Sequence, residues 1–446
     1  MENISIISDP VIKSTKTYSC DSLHHALYLA PDMLRHCCKR FFVNGQMRGD
    51  VKVYSVHSDE DIDVARILTA KRELYDSINR GEETQCSGCP FLTLDMWGDL
   101  DKLKINILSI EPHTVCNMKC TYCSETYYGG LKAKYNHRKL LEHFLMEGAF
   151  SEDIDIVWGG GEPTLMDDFE ENFSLFAQKL KPKSIKLFTN AIKYSSVIEK
   201  YLSNGLLTIT ISTDAGTKET FKKVRGVEAL EKVFCNIKRY HNTASSGVVI
   251  KYILTEDNCS FEEIDKFLGQ LNKYELNKSH FQLSADFKNQ DLGNEQAKSL
   301  MYLYKELVRK GADSCHFDDH LRPRWNRKIR EIYDSNDKQE SEFQLIVDYI
   351  KELQDKAFIV WGAGQIGYMM IKHSPLFEIS KVVFIVDKDE KKHGKRLCDI
   401  EIKSPDFIKQ VDYPIVIASS RFYNEICCEI SEMGISKDRI MDNLIF

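Results

Sequence analysis

The sequence predicts an α/β protein whose central parallel sheet curls into a partial (β/α)6 barrel, with a cysteine-rich segment before it and a smaller α/β unit after it. Two observations predict it. From about Lys102 to about Glu295, strand-like runs rich in Ile, Val, Leu and Thr alternate with amphipathic stretches of helical period. That alternation gives parallel strands covered by helices, and near-continuous apolar runs are those buried on both faces. Second, the glycine, carboxylate and hydroxyl signatures fall at the C-terminal ends of the predicted strands, where such folds carry their chemistry. The chain divides into residues 1–100, a barrel at 101–310, a helical connector at 311–356 and a last domain at 357–446.

The expected barrel strands are Leu103–Glu111, Ile154–Gly159, Ile185–Asn190, Leu207–Asp214, Val248–Leu254 and His280–Ser284. Between them lie helices at Arg138–Glu147, Glu170–Leu180, Leu230–Tyr240 and Phe261–Leu271. Composition is that of a globular protein, with 43% hydrophobic and 28% charged residues. A net charge of −7 and no basic block give no electrostatic case for nucleic acid. No run of about 18 apolar residues suggests a membrane span. The opening Met1-Glu2-Asn3-Ile4-Ser5 has no basic segment leading into an apolar one, so no signal peptide is expected. Of 14 cysteines, eight lie between Cys20 and Cys123. Such clustering in a chain without export signals reads as metal chemistry in a reducing cytoplasm.

Just after the first barrel strand comes Cys116-Asn117-Met118-Lys119-Cys120-Thr121-Tyr122-Cys123. One short loop there presents three thiolates, which suits three corners of a [4Fe–4S] cluster and leaves the fourth iron open. A Cys3His zinc site completed by His113 is the competing reading. The second strand ends in Gly159-Gly160-Gly161-Glu162-Pro163, where glycines admit close backbone approach and a carboxylate can pair with an amine. By itself that run would be a plain turn. Strand three ends in Thr189-Asn190-Ala191, and strand four in Ser212-Thr213-Asp214-Ala215-Gly216, followed by Arg225-Gly226. Hydroxyl and carboxylate groups at a strand end suit ribose, while an Asx-type turn is the plainer alternative.

Together these segments resemble the radical S-adenosylmethionine (radical SAM) enzymes, including an aromatic residue, Tyr122, before the last cysteine. The resemblance implies that Cys116, Cys120 and Cys123 hold a cluster whose open iron chelates SAM. It implies reductive cleavage of SAM to methionine and a 5′-deoxyadenosyl radical that abstracts hydrogen from a substrate. The electron would come from a donor such as a flavodoxin or ferredoxin. Gly160, Gly161 and Glu162 would hold the methionine amino group. Tyr122, Asn190, Ser212 and Asp214 would belong to the SAM pocket, with Arg225 as a carboxylate partner. Ala191 and Ala215 stand where the family pattern has glycine.

Before the barrel, Cys86-Ser87-Gly88-Cys89 forms a bidentate knuckle, and Cys20 with Cys37 or Cys38 would complete a four-thiolate site. Spacing alone does not separate an iron–sulfur cluster from zinc. The block resembles the twitch or SPASM modules that hold an auxiliary [4Fe–4S] cluster, although those usually follow the barrel. Zinc is the lesser alternative. Near the C-terminus, Phe358–Trp361 leads into Gly362-Ala363-Gly364-Gln365-Ile366-Gly367 and an amphipathic helix. Strand Val382–Val386 ends at Asp387, and Ile415–Ala418 precedes a helix around Asn424–Met433. This is the Rossmann fingerprint in its proper setting, with Gly362, Gly364 and Gly367 for a phosphate and Asp387 for a ribose. One mononucleotide half in about ninety residues suits a nucleotide or nucleotide-sugar rather than a full dinucleotide; a ligand-free scaffold is the alternative. Cys235, Cys259, Cys315, Cys398, Cys427 and Cys428 are expected to be buried small hydrophobes.

The expected function is radical oxidation or rearrangement of a nucleotide-sugar or glycan precursor. A peptide or protein maturase is the second expectation, and a non-catalytic iron–sulfur or zinc nucleotide sensor the third. The catalytic residue that abstracts or returns hydrogen is not legible.

Overall fold

The computed structural model describes residues 16–124, 128–288, 290–335, 343–419 and 422–441. Met1–Ser5 and the charged Gln339-Glu340-Ser341-Glu342 lie outside the described residues. All six strands expected for the central region are formed. They belong to a ten-stranded sheet built from Ala26–Ala30 (β1), Met33–Arg35 (β2), Lys52–Ser55 (β3), Ile105–Ile110 (β4), Phe150–Trp158 (β5), Ser184–Thr189 (β6), Leu207–Ser212 (β7), Val248–Leu254 (β8), His280–Ala285 (β9) and Ser314–Phe317 (β10). Its order is β10-β9-β8-β7-β6-β5-β4-β1-β2-β3. Strands β4 to β10 and β1 are parallel, while β2 and β3 are antiparallel additions.

Two boundaries differ from the sequence expectation. Residues 314–317, read as the start of a helical connector, add a seventh parallel strand beside β9. The cysteine-rich segment is not separate from the sheet either, because its fully buried run Ala26–Ala30 pairs in parallel with β4.

Strand periodicity explains the layers. In β8, Ile250, Tyr252 and Leu254 are buried, and Tyr252 meets Phe267 of the helix Phe261–Lys273 at a ring separation of 4.8 Å. Lys251, on the opposite face, reaches Asp318 just beyond β10 with a 2.8 Å ion pair. Trp158 at the end of β5 sits among Phe169, Phe173 and Phe176 of the helix Phe169–Leu180. Side chains of this size bury about 150–250 Å² each and dominate the packing energy.

The sheet is curved, not flat. Lys39, four residues beyond β2, pairs with Asp319, two residues beyond β10, at 3.0 Å. A flat sheet would hold β2 and β10 apart by eight strand spacings, about 38 Å. The N-terminal hairpin Arg40–Val43/Gln46–Gly49 begins at that junction and turns at Asn44-Gly45, both with positive φ, as a tight two-residue hairpin turn requires.

The last unit is a six-stranded sheet in which Ala357–Trp361 (β11) is central, flanked by Lys381–Val386 (β12) and Ile415–Ile417 (β14). Ile400–Lys403 (β13) pairs with β12, and Ile440–Met441 (β15) with β14. These five strands are parallel in the order β13-β12-β11-β14-β15. The helix Tyr423–Glu432 lies against the N-terminal ends of the large sheet: Tyr423 stacks on His316 of β10 at 5.6 Å, and the ring of Phe422 lies 4.9 Å from Lys183 Nζ. Another part of the same unit reaches the segment that follows β10: Arg322 Nη1 lies 3.9 Å from Met370 Sδ, and Arg330 pairs with Glu378 at 2.6 Å. No helix among the described residues is long and apolar enough to cross a membrane.

Candidate functional site

Beyond β4 the chain makes a short strand, His113–Val115, and enters the Cys116–Cys123 loop. Backbone bonds hold this loop on both sides. Gly161 N–H donates to His113 O at 2.9 Å and Glu162 N–H to Val115 O at 2.8 Å. A Cβ on Gly161 would stand 2.2 Å from Val115 O, so glycine there is demanded by the cysteine-bearing strand itself. On the other side Lys119 and Thr121 N–H groups donate to Arg225 and Val224 carbonyls at 3.1 and 2.9 Å. The glycine run thus acts first as a seat for the loop.

The three thiols act electrostatically on one another, and Arg225 acts on all three. Burial pushes each thiol up, Cys123 to about 11, and the guanidinium pulls each back. The backbone amides of Met118 and Ser124 also pull the Cys116 and Cys123 thiols down. His113 does not join them; its Nδ1 accepts the Val115 N–H at 3.0 Å. Three thiols from one loop, amide donors to sulfur and a nearby cation fit a [4Fe–4S] cluster better than a Cys3His zinc site. Among the described residues no three Cys, His, Asp or Glu side chains already stand as a closed metal site. Thiol ligands would therefore shed their protons and close on the metal as it binds.

Tyr122, Asp214 and Arg225 form a buried triad. Tyr122 Oη donates to Asp214 Oδ2 at 2.6 Å, and Arg225 Nη1 donates to the same oxygen at 2.8 Å and also contacts the phenol. Asp214 Oδ1 accepts the Ile253 N–H at 2.8 Å. Asp214 and Arg225, expected in the SAM pocket, thus pair with each other beneath the cysteine loop. Ser212 stands outside the triad, half-buried and level with Lys251 of β8.

Glu162 is buried and receives four hydrogen bonds. Oε1 accepts Thr164 N–H, Thr164 Oγ1 and Thr189 Oγ1 at 3.2, 2.6 and 2.8 Å, and Oε2 accepts Asn190 N–H at 2.6 Å. Burial pushes its carboxyl up, and these donors oppose that shift. Asn190 Nδ2 in turn donates to Asn117 Oδ1 at 2.7 Å and lies 3.9 Å from Cys116 Sγ. Glu162, Asn190 and the cysteine loop are therefore one connected network. Residues that sequence reasoning missed lie further along the strand ends: the Lys251–Asp318 pair, the Lys39–Asp319 pair, and Arg35 beside Glu111 at 3.7 Å. Their signal was their position just after a strand, or opposite one.

In the C-terminal unit, β11 runs through Gly362 and Gly364 into the helix Gln365–His373. A Cβ on Gly364 would meet nothing within 4 Å, so nothing in the protein itself demands glycine there. Asp387, expected at a ribose, has partners within the protein. Its Oδ2 accepts the Ala363 N–H at 2.7 Å and pairs with Lys392 at 3.1 Å, and its Oδ1 accepts the Asp389 N–H at 2.9 Å. It buttresses the glycine loop. Of the six scattered cysteines Cys315 is buried, whereas Cys235 and Cys428 are exposed, which corrects the reading of all six as buried.

Residues 110–268 match the model of the radical SAM superfamily, and residues 354–441 match the model described as C2185-like, N-terminal. A GTP 3′,8-cyclase of Klebsiella pneumoniae is 24% identical over 215 residues, covering 47% of this chain and 64% of that protein. The GTP 3′,8-cyclase of Clostridium botulinum is 25% identical over 176 residues, covering 39% and 54%. The chain thus spans less than two thirds of the length of these relatives. Among solved structures, Streptococcus suis SuiB bound to precursor peptide SuiA aligns over 62% of this chain and 68% of that one, at 14% identity and a TM-score of 0.39. The chain carries a radical SAM superfamily domain.

Proposed function

We propose that this protein is a radical SAM enzyme that oxidises or rearranges a nucleotide-sugar or glycan precursor, with the curled parallel sheet serving as its partial (β/α)6 barrel. The observation that carries the chemistry is the three-thiol loop locked at the sheet's C-terminal edge by the Tyr122–Asp214–Arg225 triad. When bound, a [4Fe–4S] cluster and SAM supply an electron and a 5′-deoxyadenosyl radical for hydrogen abstraction, and an auxiliary cluster supplies a second electron carrier. Cys116, Cys120 and Cys123 hold the first of these. Arg225 offsets thiolate charge, and the Gly160–Gly161 backbone with Glu162 and Asn190 receives the methionine end of SAM. The four donors on Glu162 fix its carboxylate in one orientation before any ligand arrives, which limits the reorganisation needed for binding.

Lys251 within β8 with Asp318 just after β10, and Lys39 with Asp319, offer paired charges suited to a hydroxylated or anionic substrate. The C-terminal unit has the 3-2-1-4-5 parallel order and the glycine fingerprint of a Rossmann-like domain, and the open space at Gly364 supports phosphate approach to the helix N-terminus. With Asp387 engaged, phosphate contributes more there than ribose. The relatives named as GTP cyclases favour a nucleotide-bearing small molecule over a peptide. Clustered cysteines favour a reducing cytoplasm with a flavodoxin or ferredoxin as donor.

The test is anaerobic incubation of reconstituted protein with SAM, dithionite and a panel of nucleotide-sugars, following 5′-deoxyadenosine. One nucleotide-sugar is expected to raise it several-fold above the substrate-free rate. A rise with peptides alone would replace this reading with a maturase, and no SAM cleavage at all would leave the non-catalytic sensor.

A further inference from the structure

A cavity of about 390 Å³ lies where three separate parts of the chain meet. One wall is the helix Leu321–Asp334, which follows β10 and lines the cavity with Arg322, Pro323, Asn326, Arg327 and Arg330 at helical spacing. The second wall is the helix Gln365–His373 of the C-terminal unit, through Ile366, Met369 and Met370. Pro90 and Phe91, directly after Cys89, supply the third. Contacts across the seam hold its shape. Arg322 Nη1 lies 3.9 Å from Met370 Sδ, and Arg330 holds Glu378 at 2.6 Å. Lys39 Nζ stands 4.7 Å from the centre of the Phe91 ring and 3.0 Å from Asp319, which also lines the cavity. The volume falls in the range of small-molecule sites, which favour seams between structural units.

The lining has two chemical characters. Its apolar part offers a ring the face of Phe91 and the thioethers of Met369 and Met370, whose soft sulfurs favour aromatic partners. Its charged part is cationic: Arg322, Arg327, Arg330 and Lys372 stand against one carboxylate, Asp319, which Lys39 already matches. Arg327 and Arg330 pair with Asp291 and Glu378, but both arginines are exposed, and exposed pairs are held weakly enough to share with an arriving anion. Lys372, on the exposed rim, has no ion pair among the described residues. Arg322 is buried, where an anion is worth more to a guanidinium than it is at the surface. Burial disfavours its charged form and Asp319 and Asp318 oppose that; an anion in the cavity would add to them. Gly362, Gly364 and Asp387 do not line this space, so it is separate from the glycine loop.

We propose that this cavity binds a small aromatic anion, its ring against Phe91 and the two thioethers and its phosphate or carboxylate at Arg322 and the cationic rim. Guanidinium forks match either oxyanion. The site is additional to the cysteine loop and the glycine loop. Its occupant touches all three parts of the chain at once and so stabilises the seam between the C-terminal unit and the large sheet.

The probe is anilinonaphthalene sulfonate, an aromatic anion whose fluorescence rises on leaving water, titrated into the folded full-length chain. Saturable binding near one probe per chain is expected, displaced by phenyl phosphate or by benzoate. The more effective of the two identifies the headgroup. Met369→Trp, which fills the cavity, is expected to abolish binding. Lys372→Glu, on the rim, is expected to weaken it several-fold without moving the unfolding temperature. Gly364→Ala is expected to leave it unchanged. No saturable binding, or binding untouched by either cavity variant, overturns the proposal. Loss in Gly364→Ala places the probe at the glycine loop and overturns it too. Displacement by benzyl alcohol as readily as by phenyl phosphate makes the cavity a neutral apolar one. Displacement by inorganic phosphate at the same concentration makes it a plain anion site. Either result overturns the aromatic-anion assignment. Should Met369→Trp fail to fold, Lys372→Glu and a salt titration of the parent carry the test: binding indifferent to both overturns the proposal.

Discussion

Tyr122 Oη and Asp214 Oδ2 meet at 2.6 Å across 92 residues of sequence, and this contact ties the cysteine loop to the end of β7. The Arg225 guanidinium shares the same carboxylate oxygen, so a phenol, a carboxylate and a cation are buried as one unit beneath the three thiols.

Asp214→Asn removes the charge that balances Arg225 while keeping the side chain's shape. Breaking a buried pair leaves an uncompensated cation, at a cost of about 3–5 kcal/mol. Tyr122→Phe removes the phenol's hydrogen bonds to Asp214 and Arg225 but leaves the ion pair, and is expected to cost about 1.5–3 kcal/mol. Urea unfolding should rank the two in that order. Iron retained after reconstitution should fall in both, because the loop loses its anchor.

Two glycine substitutions separate seat from ligand contact. Gly161→Ala forces a Cβ into the Val115 carbonyl and is expected to destabilise the fold by more than about 2 kcal/mol and lower iron content. Gly364→Ala meets open space, so thermal stability should stay within about 0.5 kcal/mol of the parent. If a phosphate approaches there, Gly364→Ala should still abolish the thermal shift produced by a nucleotide.

Ala191 sits at φ +55 where the family pattern has glycine. A left-handed L-residue costs about 1–2 kcal/mol, partly recovered by the lower chain entropy of alanine when unfolded. Ala191→Gly is therefore expected to be neutral or stabilising by up to about 1 kcal/mol. A clear loss of stability would show that its methyl packing outweighs the strain.

Burial, reinforced by Lys186 and Arg322 and opposed by Asp318, pushes the His316 imidazole down to about 3. The unfolded chain takes up this proton near pH 6.5 and the folded chain does not, so unfolding becomes easier as pH falls from about 6.5 toward 3. The contribution is fully present above pH 6.5. His316→Gln is expected to move the midpoint of acid unfolding to lower pH, provided that Gln keeps the stack on Tyr423; an unmoved midpoint would assign acid sensitivity elsewhere.

The long parallel strands and the cysteine loop were legible because each combined an apolar run with a chemical signature at its end. Ser314–Phe317 was not: four residues carrying a serine, a cysteine and a histidine have too few apolar positions to show a period. Ala26–Ala30 was hidden for another reason, since its neighbours Cys20 and Cys37 drew the whole segment toward metal binding. Asp387 stood at the spacing expected of a ribose ligand, but spacing says nothing about which donors claim a carboxylate.

The Lys39–Asp319 pair joins residues 280 apart. During synthesis, therefore, the N-terminal cysteine segment waits for nearly three quarters of the chain before its partner emerges. Such a contact is among the last to form, because its loop-closure entropy is the greatest. Until it forms, the two ends of the large sheet are not yet joined there. Any metal that these thiols take up would therefore reach them most readily before the junction closes, and a chain closed first would have to reopen it.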